Sequence, residues 1–402
     1  MRRHRFEPRP FWRQLAADDG YDFHTAEDGH EVWSEAAAYS FSLAQIEEDL
    51  EAPTAELHRL CLDLAAEIAE SPALMRRLGI PDWAHALVTR SHRARDPHLY
   101  GRFDLAYDGT GPAKMLEYNA DTPTALFETA VFQWRWLEDM RSSGALPAGA
   151  DQFNSLHERL LARFVEIRAR AGDALHLTCM TEFPEDRGTV GYLADCAAQA
   201  GLQVRLIDVA DIGLHQEGGH SSFVDRSGTP VRLLFKLYPW EWMLRDGFGP
   251  AIAASGTTFV EPAWKMVLSN KGILPLLWER RPGHPNLLPA YFEDDSRKFE
   301  LGKSFARKPL LGREGANVTI VTDGQVAAAE AGPYGSSGYV RQALAPIPEF
   351  NGRRAVIGSW VVGDEPAGMI LRESAGPISN DTSQLVPHFI KPNEPARSGD
   401  AR

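Results

Sequence analysis

Four polar residues, Arg102, Asp104, Glu117 and Asn119, have the types and spacing to act on a phosphate. Side chains alternate along a strand. In RFDLAY, Arg102 and Asp104 therefore share one face, and Phe103, Leu105 and Tyr107 share the other. In MLEYNA, Glu117 and Asn119 share a face while Leu116 and Tyr118 point away. The intervening Asp108-Gly109-Thr110-Gly111-Pro112 reads as a turn. Folded back on itself, the segment brings an arginine, two carboxylates and an amide together over an apolar sheet. Carboxylate and amide oxygens are hard ligands that suit magnesium. An adjacent guanidinium stabilises charge on a transferring phosphoryl group. The same alternation also describes a plain amphipathic hairpin whose polar face is solvated.

A second constellation lies downstream. Lys308 precedes a glycine-rich turn, Gly312-Arg313-Glu314-Gly315-Ala316-Asn317, between two expected strands. Glycines let backbone N–H groups approach phosphates, and a lysine adds a point charge. It is not a P-loop, because the GxxxxGK[ST] pattern and the following helix are missing. An ordinary β-hairpin turn is the competing reading. Lys271 and Arg372 are isolated cations, each of which alone reads as a surface residue.

The elements that must position these residues follow from periodicity. A helix starts near Ser42, where Ser42-x-x-Gln45 forms a capping box, and Pro53 is expected to interrupt it. Leu57, Leu60, Cys61, Leu64 and Ile68 form a helical core stripe. Helices are predicted over 125–140, 151–171, 190–200 and 272–279. Strands are predicted over 174–180, 204–209, 231–237, 305–308, 318–321, 338–343, 355–362 and 368–371. The 174–209 stretch is a strand–helix–strand unit of α/β type.

Bulk properties narrow the function classes. The chain has 402 residues, 44% of them hydrophobic, and a formal net charge of −13. Such a field disfavours nucleic acid as a partner and is compatible with a cationic substrate or with a merely acidic surface. The three cysteines, Cys61, Cys179 and Cys196, have neither zinc-site nor disulfide spacing. The basic start, MRRHRFEPRPFW, lacks the apolar stretch of a signal peptide, and no run matches a bilayer span. A cytoplasmic protein with no membrane partner is expected, its oligomeric state left open.

Several ordered segments carry a resemblance: YGRFDLAYDGTGPAKMLEYNADTPTALFE, PEDRGTVGYLADCAAQAG, FVEPAWKMVLSNKGILP, FARKPLLGREGAN and MILRES. Together they resemble the synthetase part of the glutathionylspermidine synthase family, including its short bacterial homologues. The resemblance implies an α/β, ATP-grasp-type fold with a pre-ATP-grasp substrate domain. It implies an N-terminal helical region with the hairpin (1–130, hairpin 100–120), a pre-ATP-grasp-like α/β region (131–230), grasp lobes (231–390) and a disordered tail (391–402). The implied activity is an ATP- and magnesium-dependent ligation of a carboxylate to an amine through an acyl-phosphate. The acid could be glutathione or a short peptide, and the amine a polyamine. A non-catalytic ATP-binding protein and an ATP-grasp kinase are the alternatives.

Roles are implied residue by residue. Asp104, Glu117 and Asn119 would hold magnesium. Arg102 would bind the transferring phosphate, and Arg372 would neutralise phosphate charge. Lys271 and Lys308 would contact ATP phosphates, and Gly312 to Gly315 would close as a lid. Gln342, Ala343 and Leu344 would lie at the adenine. Thr122 and Thr124 would bind the acid, with Pro123 stiffening the loop and Ala125 standing where the family has a cysteine. Glu185 and Asp186 would hold the amine. The amidase domain of some family members is expected to be missing.

Overall fold

The computed structural model describes residues 1–218, 220–345 and 347–392. The 393–402 part of the expected disordered tail lies outside the described residues.

A six-stranded antiparallel sheet organises the molecule. Gln384–Val386, Glu365–Ser374, Arg353–Val362, Tyr100–Ala106 and Lys114–Asn119 follow one another across it, and Glu349–Phe350 pairs beside Arg353–Val362. The hairpin expected from alternation is present, but it does not stand alone. Its first strand is sandwiched between its own partner and Arg353–Val362, residues more than two hundred positions downstream. All seven residues of Tyr100–Ala106 are buried. Sheet membership thus cuts across the linear order of the chain.

A four-stranded parallel sheet runs Thr258–Val260, Leu233–Leu237, Ala174–Cys179, Gln203–Asp208. Its central strands, LHLTC and LLFKL, are buried on both faces, as a covered parallel sheet requires. The Pro184–Gln199 helix makes the crossover. It begins earlier than the apolar pattern indicates, because Pro184 is well tolerated in a helix's first turn and Glu185 and Asp186 suit its positive end. A five-stranded antiparallel sheet runs Ala290–Phe292, Tyr339–Ala343, Phe305–Pro309, Thr319–Thr322, Gln325–Ala329.

The capping box forms as expected: Gln45 N–H donates to Ser42 Oγ at 3.2 Å, and Ser42 N–H donates to Gln45 Oε1 at 3.1 Å. Pro53 does not interrupt the helix. The chain stays helical through a π turn over Glu47–Glu51 into Ala52–Ala69, where Pro53 sits in the first turn and its missing N–H breaks no bond. The Leu57, Leu60, Cys61, Leu64, Ile68 stripe is buried and packs in one core with the underside of the hairpin, Phe103, Leu105 and Tyr118. Phe103 and Tyr118 stack at 3.9 Å between centroids. The apolar face of the hairpin is thereby anchored, and its polar face is turned toward the five-stranded sheet.

Candidate active site

Cross-strand register places Arg102 opposite Asn119 and Asp104 opposite Glu117. The first strand's half of this face is buried, Arg102 5% exposed and Asp104 4%, while Glu117 and Asn119 are half-buried. Burying these charges is tolerable only because they are paired. Arg102 Nε donates to Asp104 Oδ1 at 2.8 Å, and Arg102 Nη1 to the Thr124 carbonyl at 2.7 Å. Arg372 Nη1 reaches Asp104 Oδ2 at 3.5 Å. Lys271 Nζ lies 3.1 Å from Glu117 Oε2, and Asn119 Nδ2 lies 3.4 Å from Glu117 Oε1. Residues scattered over 270 positions therefore form two ionic groups, Arg102–Asp104–Arg372 and Lys271–Glu117–Asn119, set side by side by the pairing of Asp104 with Glu117 into one cluster of charge.

Lys308 joins the cluster from the Phe305–Pro309 strand. Its ammonium donates to the Leu116 carbonyl at 2.9 Å and to Gln342 Oε1 at 2.7 Å. Burial is the main influence on it and, despite Glu117, brings its pKa down to about 8. Burial opposes ionisation of Glu117, but Lys271 and Lys308 outweigh it and hold the carboxyl below its ordinary range.

A cavity of about 350 Å³ opens on this cluster. Asp104, Glu117, Lys271 and Lys308 form one wall; Gly312, Gly315 and Ala316 form another; Gln342, Ala343 and Leu344 line a third. The Gln342 side chain is engaged: it accepts from Lys308 and donates through Nε2 to the Met115 carbonyl at 2.9 Å. Its segment is thus fixed to the hairpin. The glycine-rich turn is shaped by left-handed backbone at Glu314 (φ 52°), Gly315 (φ 73°) and Asn317 (φ 59°). A Cβ on Gly315 would lie 2.6 Å from the Ser379 carbonyl oxygen, so the turn approaches that segment as only glycine permits. Lys271 also donates to the Gly312 carbonyl at 2.8 Å, tying turn to cluster.

The donor set suits magnesium. Among the described residues no three His, Cys, Asp or Glu side chains converge as a metal-ligating group. The hairpin offers two carboxylates and the Asn119 amide, the partial set that magnesium combines with phosphate oxygens and water.

A larger cavity, about 920 Å³, lies on the other side of Ala316, which lines both. Thr124, Glu185 and Asp186 line it. So do Asp22, Glu27, Glu182, Glu314, Glu330 and Asp381, against a single cation, Arg313. Burial, opposed by Arg313 and reinforced by Glu185 and Glu314, pushes Asp186 up to about 7. Thr122 is not among the residues lining either cavity. The Asp121–Thr124 loop is held by Asp121, whose buried carboxylate pairs with Lys236 and accepts the Trp240 N–H at 2.8 Å.

The structure adds residues that sequence reasoning missed. Gly358, opposite Asp104 in the neighbouring strand, makes room for the arginine: a Cβ there would lie 2.8 Å from Arg102 Cδ. The signal was available, since an isolated glycine within the run AVIGSWVV marks a close approach. The acids at Asp22, Glu27 and Glu330 carry no comparable signal, because their neighbours are set by tertiary packing. Among the described residues no helix is long and apolar enough to cross a membrane.

Comparison with known proteins gives a consistent result. A family model described as glutathionylspermidine synthase preATP-grasp matches residues 3–391. A Haemophilus influenzae protein provisionally named an acid–amine ligase is 42% identical over 400 residues, covering 96% of this chain and 98% of that protein. Trypanothione synthetase of Crithidia fasciculata is 30% identical over 364 residues, covering 84% of this chain but only 54% of the longer relative. Among solved structures, a glutathione synthetase-like effector from Globodera pallida shares the fold, with a TM-score of 0.54 at 12% identity over 96% of this chain and 98% of that one.

Proposed function

The chain belongs to the glutathionylspermidine synthase preATP-grasp family of carboxylate–amine ligases, and we propose that it uses ATP and magnesium to activate a carboxylate as its acyl-phosphate and joins it to a cationic amine. The supporting observation is the adjacency of two unlike cavities: one walled by Arg102's ionic cluster, one lined by acids, meeting at Ala316.

A carboxylate is a poor acyl donor because its oxygen leaves badly, and phosphorylation supplies a good leaving group. The obstacle is bringing two anions together. In this reading Lys271 and Lys308 receive the ATP phosphates, and Arg102 and Arg372 receive the transferring phosphoryl group. Asp104, Glu117 and Asn119 would hold magnesium, which would neutralise charge on the phosphate oxygens. Lys308, made reluctant to carry charge by burial, gains most when a polyanion arrives. Gln342, Ala343 and Leu344 border the adenine, and the Gly312–Gly315 turn covers the nucleotide. Thr124, with Thr122, orients the acid; Glu185 and Asp186 hold the amine. Residues 131–230 then serve as the pre-ATP-grasp substrate domain and 231–390 as most of the grasp.

The family's name points to glutathione or a short peptide as acid and a polyamine as amine, and the excess of carboxylates in the larger cavity supports a cation there. The test is an ADP-release screen of acids against amines, with product mass. The expected result is ADP formed only when both substrates are present, with a condensed product. No thermal stabilisation by Mg-ATP, or ADP release with a phosphorylated product and no amine requirement, would overturn the reading.

A further inference from the structure

Glu117 and Asn119 stand on a very short stretch of regular sheet. Their strand, Lys114–Asn119, ends the six-stranded sheet and pairs with another strand on one side only, Tyr100–Ala106. The register shifts between Asp104 and Leu105, and the strand stops at Asn119. Glu117, Tyr118 and Asn119, opposite Asp104, Phe103 and Arg102, therefore form a regular stretch between the bulge and the strand end. A bulge interrupts the ladder and lets a strand bend, so pairing alone does not set the height of this stretch over the sheet. Glu117 and Asn119 point to the cluster, which leaves Tyr118 as the side chain that can hold the stretch from its other face.

Tyr118 enters a buried polar chain. Gly101 opens a slot for it: a Cβ there would lie 2.7 Å from the Tyr118 hydroxyl oxygen. The hydroxyl meets His58 Nδ1 at 3.0 Å, and His58 Nε2 meets Asp364 Oδ1 at 3.1 Å. Each hydrogen in the chain has one place. A carboxylate only accepts, so His58 Nε2–H donates to Asp364. Burial disfavours the charged ring, so Nδ1 is an acceptor and the Tyr118 hydroxyl donates to it. His98 Nε2 reaches the same Asp364 oxygen at 3.3 Å. Both anchors are firm. Asp364 sits in the turn between Arg353–Val362 and Glu365–Ser374. Thr54, one turn before His58 on the Ala52–Ala69 helix, bonds Ser359 of Arg353–Val362 through their hydroxyls at 2.8 Å. Apolar side chains of the same shape would pack this core about as stably. What a bonded polar chain adds is a single arrangement.

Resting on the ligase reading above, we propose that Tyr118, His58 and Asp364 are positioning residues for the metal: their chain fixes how far Glu117 and Asn119 stand above the sheet, and so the spacing of the site they form with Asp104. None of the three lines either cavity, so the chain acts through the strand. Asp104 is held separately, by Arg102 and Arg372. Magnesium demands near-ideal octahedral geometry, so a small shift of two ligands against the third weakens it directly.

The test uses the full-length protein with a non-hydrolysable ATP analogue and manganese, which takes the same oxygen ligands as magnesium. Manganese affinity is read by titration calorimetry, beside the KM for the amine. Tyr118→Phe removes only the hydroxyl and keeps the ring on Phe103. The expected result is a manganese affinity lower by about tenfold, with the amine KM near wild type. Asp364→Ala breaks the other end of the chain and should lower the affinity by about threefold; being at the surface, it keeps the test open should the buried change unfold the protein. The double variant should bind manganese no worse than Tyr118→Phe, because both changes break one chain. Wild-type affinity in either single variant would overturn the proposal. So would losses that multiply in the double variant, or an amine KM that rises in step with the loss of metal. If the wild-type protein took up no divalent ion with the analogue, the failure would lie in the metal assignment of the ligase reading, and the proposal would fall with it.

Discussion

In the cavity at the hairpin, acids and cations alternate and each charge has a partner; in the cavity beyond Ala316, acids accumulate against one arginine. The first is an interlocked lattice in which Asp104 is shared by Arg102 and Arg372 and Glu117 answers to Lys271. Such a lattice is rigid and preorganised, which is what stabilising charge on a moving phosphoryl group demands. The second gathers acids with little positive charge to answer them, and burial pushes the Asp186 carboxyl up to about 7, which makes it costly until a cation enters. One cavity is built to hold its geometry, the other to be completed by its ligand.

The comparison is broken most directly at Asp104. Asp104→Asn removes a proposed metal ligand and leaves two guanidinium groups short of an anion, so turnover should fall by about 1,000-fold or more. The check is steady-state ADP release together with the thermal shift on adding Mg-ATP. Activity at wild-type level would remove the hairpin from the reaction.

Gly358→Ala probes rigidity without removing a charge. Its methyl group would displace the Arg102 side chain, and a displacement near 1 Å should cost about 100-fold in kcat. The amine KM should change little. A variant with unaltered kcat would show that Arg102's placement is not critical.

On the acidic side, Glu185→Gln and Asp186→Asn should each raise the KM for a cationic amine by about tenfold, the ~1.4 kcal/mol expected of one charge-assisted contact. The KM for ATP should stay near wild type. Parallel increases in both constants would mean that the cavities are not separate in function.

The smallest effect is on stability against pH. Unfolded Glu and Asp titrate near about 4.3 and 3.9, whereas Glu128 and Asp186 are pushed up to about 8 and about 7 in the fold. Between those limits the native protein binds more protons than the unfolded chain, so these groups lower stability as pH rises. Glu128 contributes a slope of at most about 1.4 kcal/mol per pH unit. Thermal melts from pH 5 to pH 8 (about the window concerned) should fall less steeply for Glu128→Gln than for wild type.

The hairpin was legible because period-two alternation puts Arg102 with Asp104 and Glu117 with Asn119, and these four pair across it; the bulge at Asp104–Leu105, which leaves Leu116 lining the cavity instead of pointing away and sends Met115 into the core, was not legible. The strand–helix–strand unit was legible for similar local reasons. What escaped depends on distant partners. Arg2–Arg5 and Ala37–Phe41 are strands because they pair with each other and with His388–Ile390, a fact no local window contains. Pro53 looked like a breaker because its tolerance depends on the π turn before it. Glu128 carries no local signal, since nothing in LFETAVF reveals that both of its oxygens are buried without partners.

The placement of Arg353–Val362 between Glu365–Ser374 and Tyr100–Ala106 has a consequence for biosynthesis. A nascent chain carries the first hairpin strand out of the ribosome long before the strand that must cover its open edge. Until residue 362 has emerged, Tyr100–Ala106 offers a row of unpaired backbone groups above an apolar underside, an invitation to wrong pairing. Assembly of the proposed reaction centre is therefore deferred to the end of synthesis, and a message truncated before codon 353 yields a chain with the hairpin's sequence but no covered sheet.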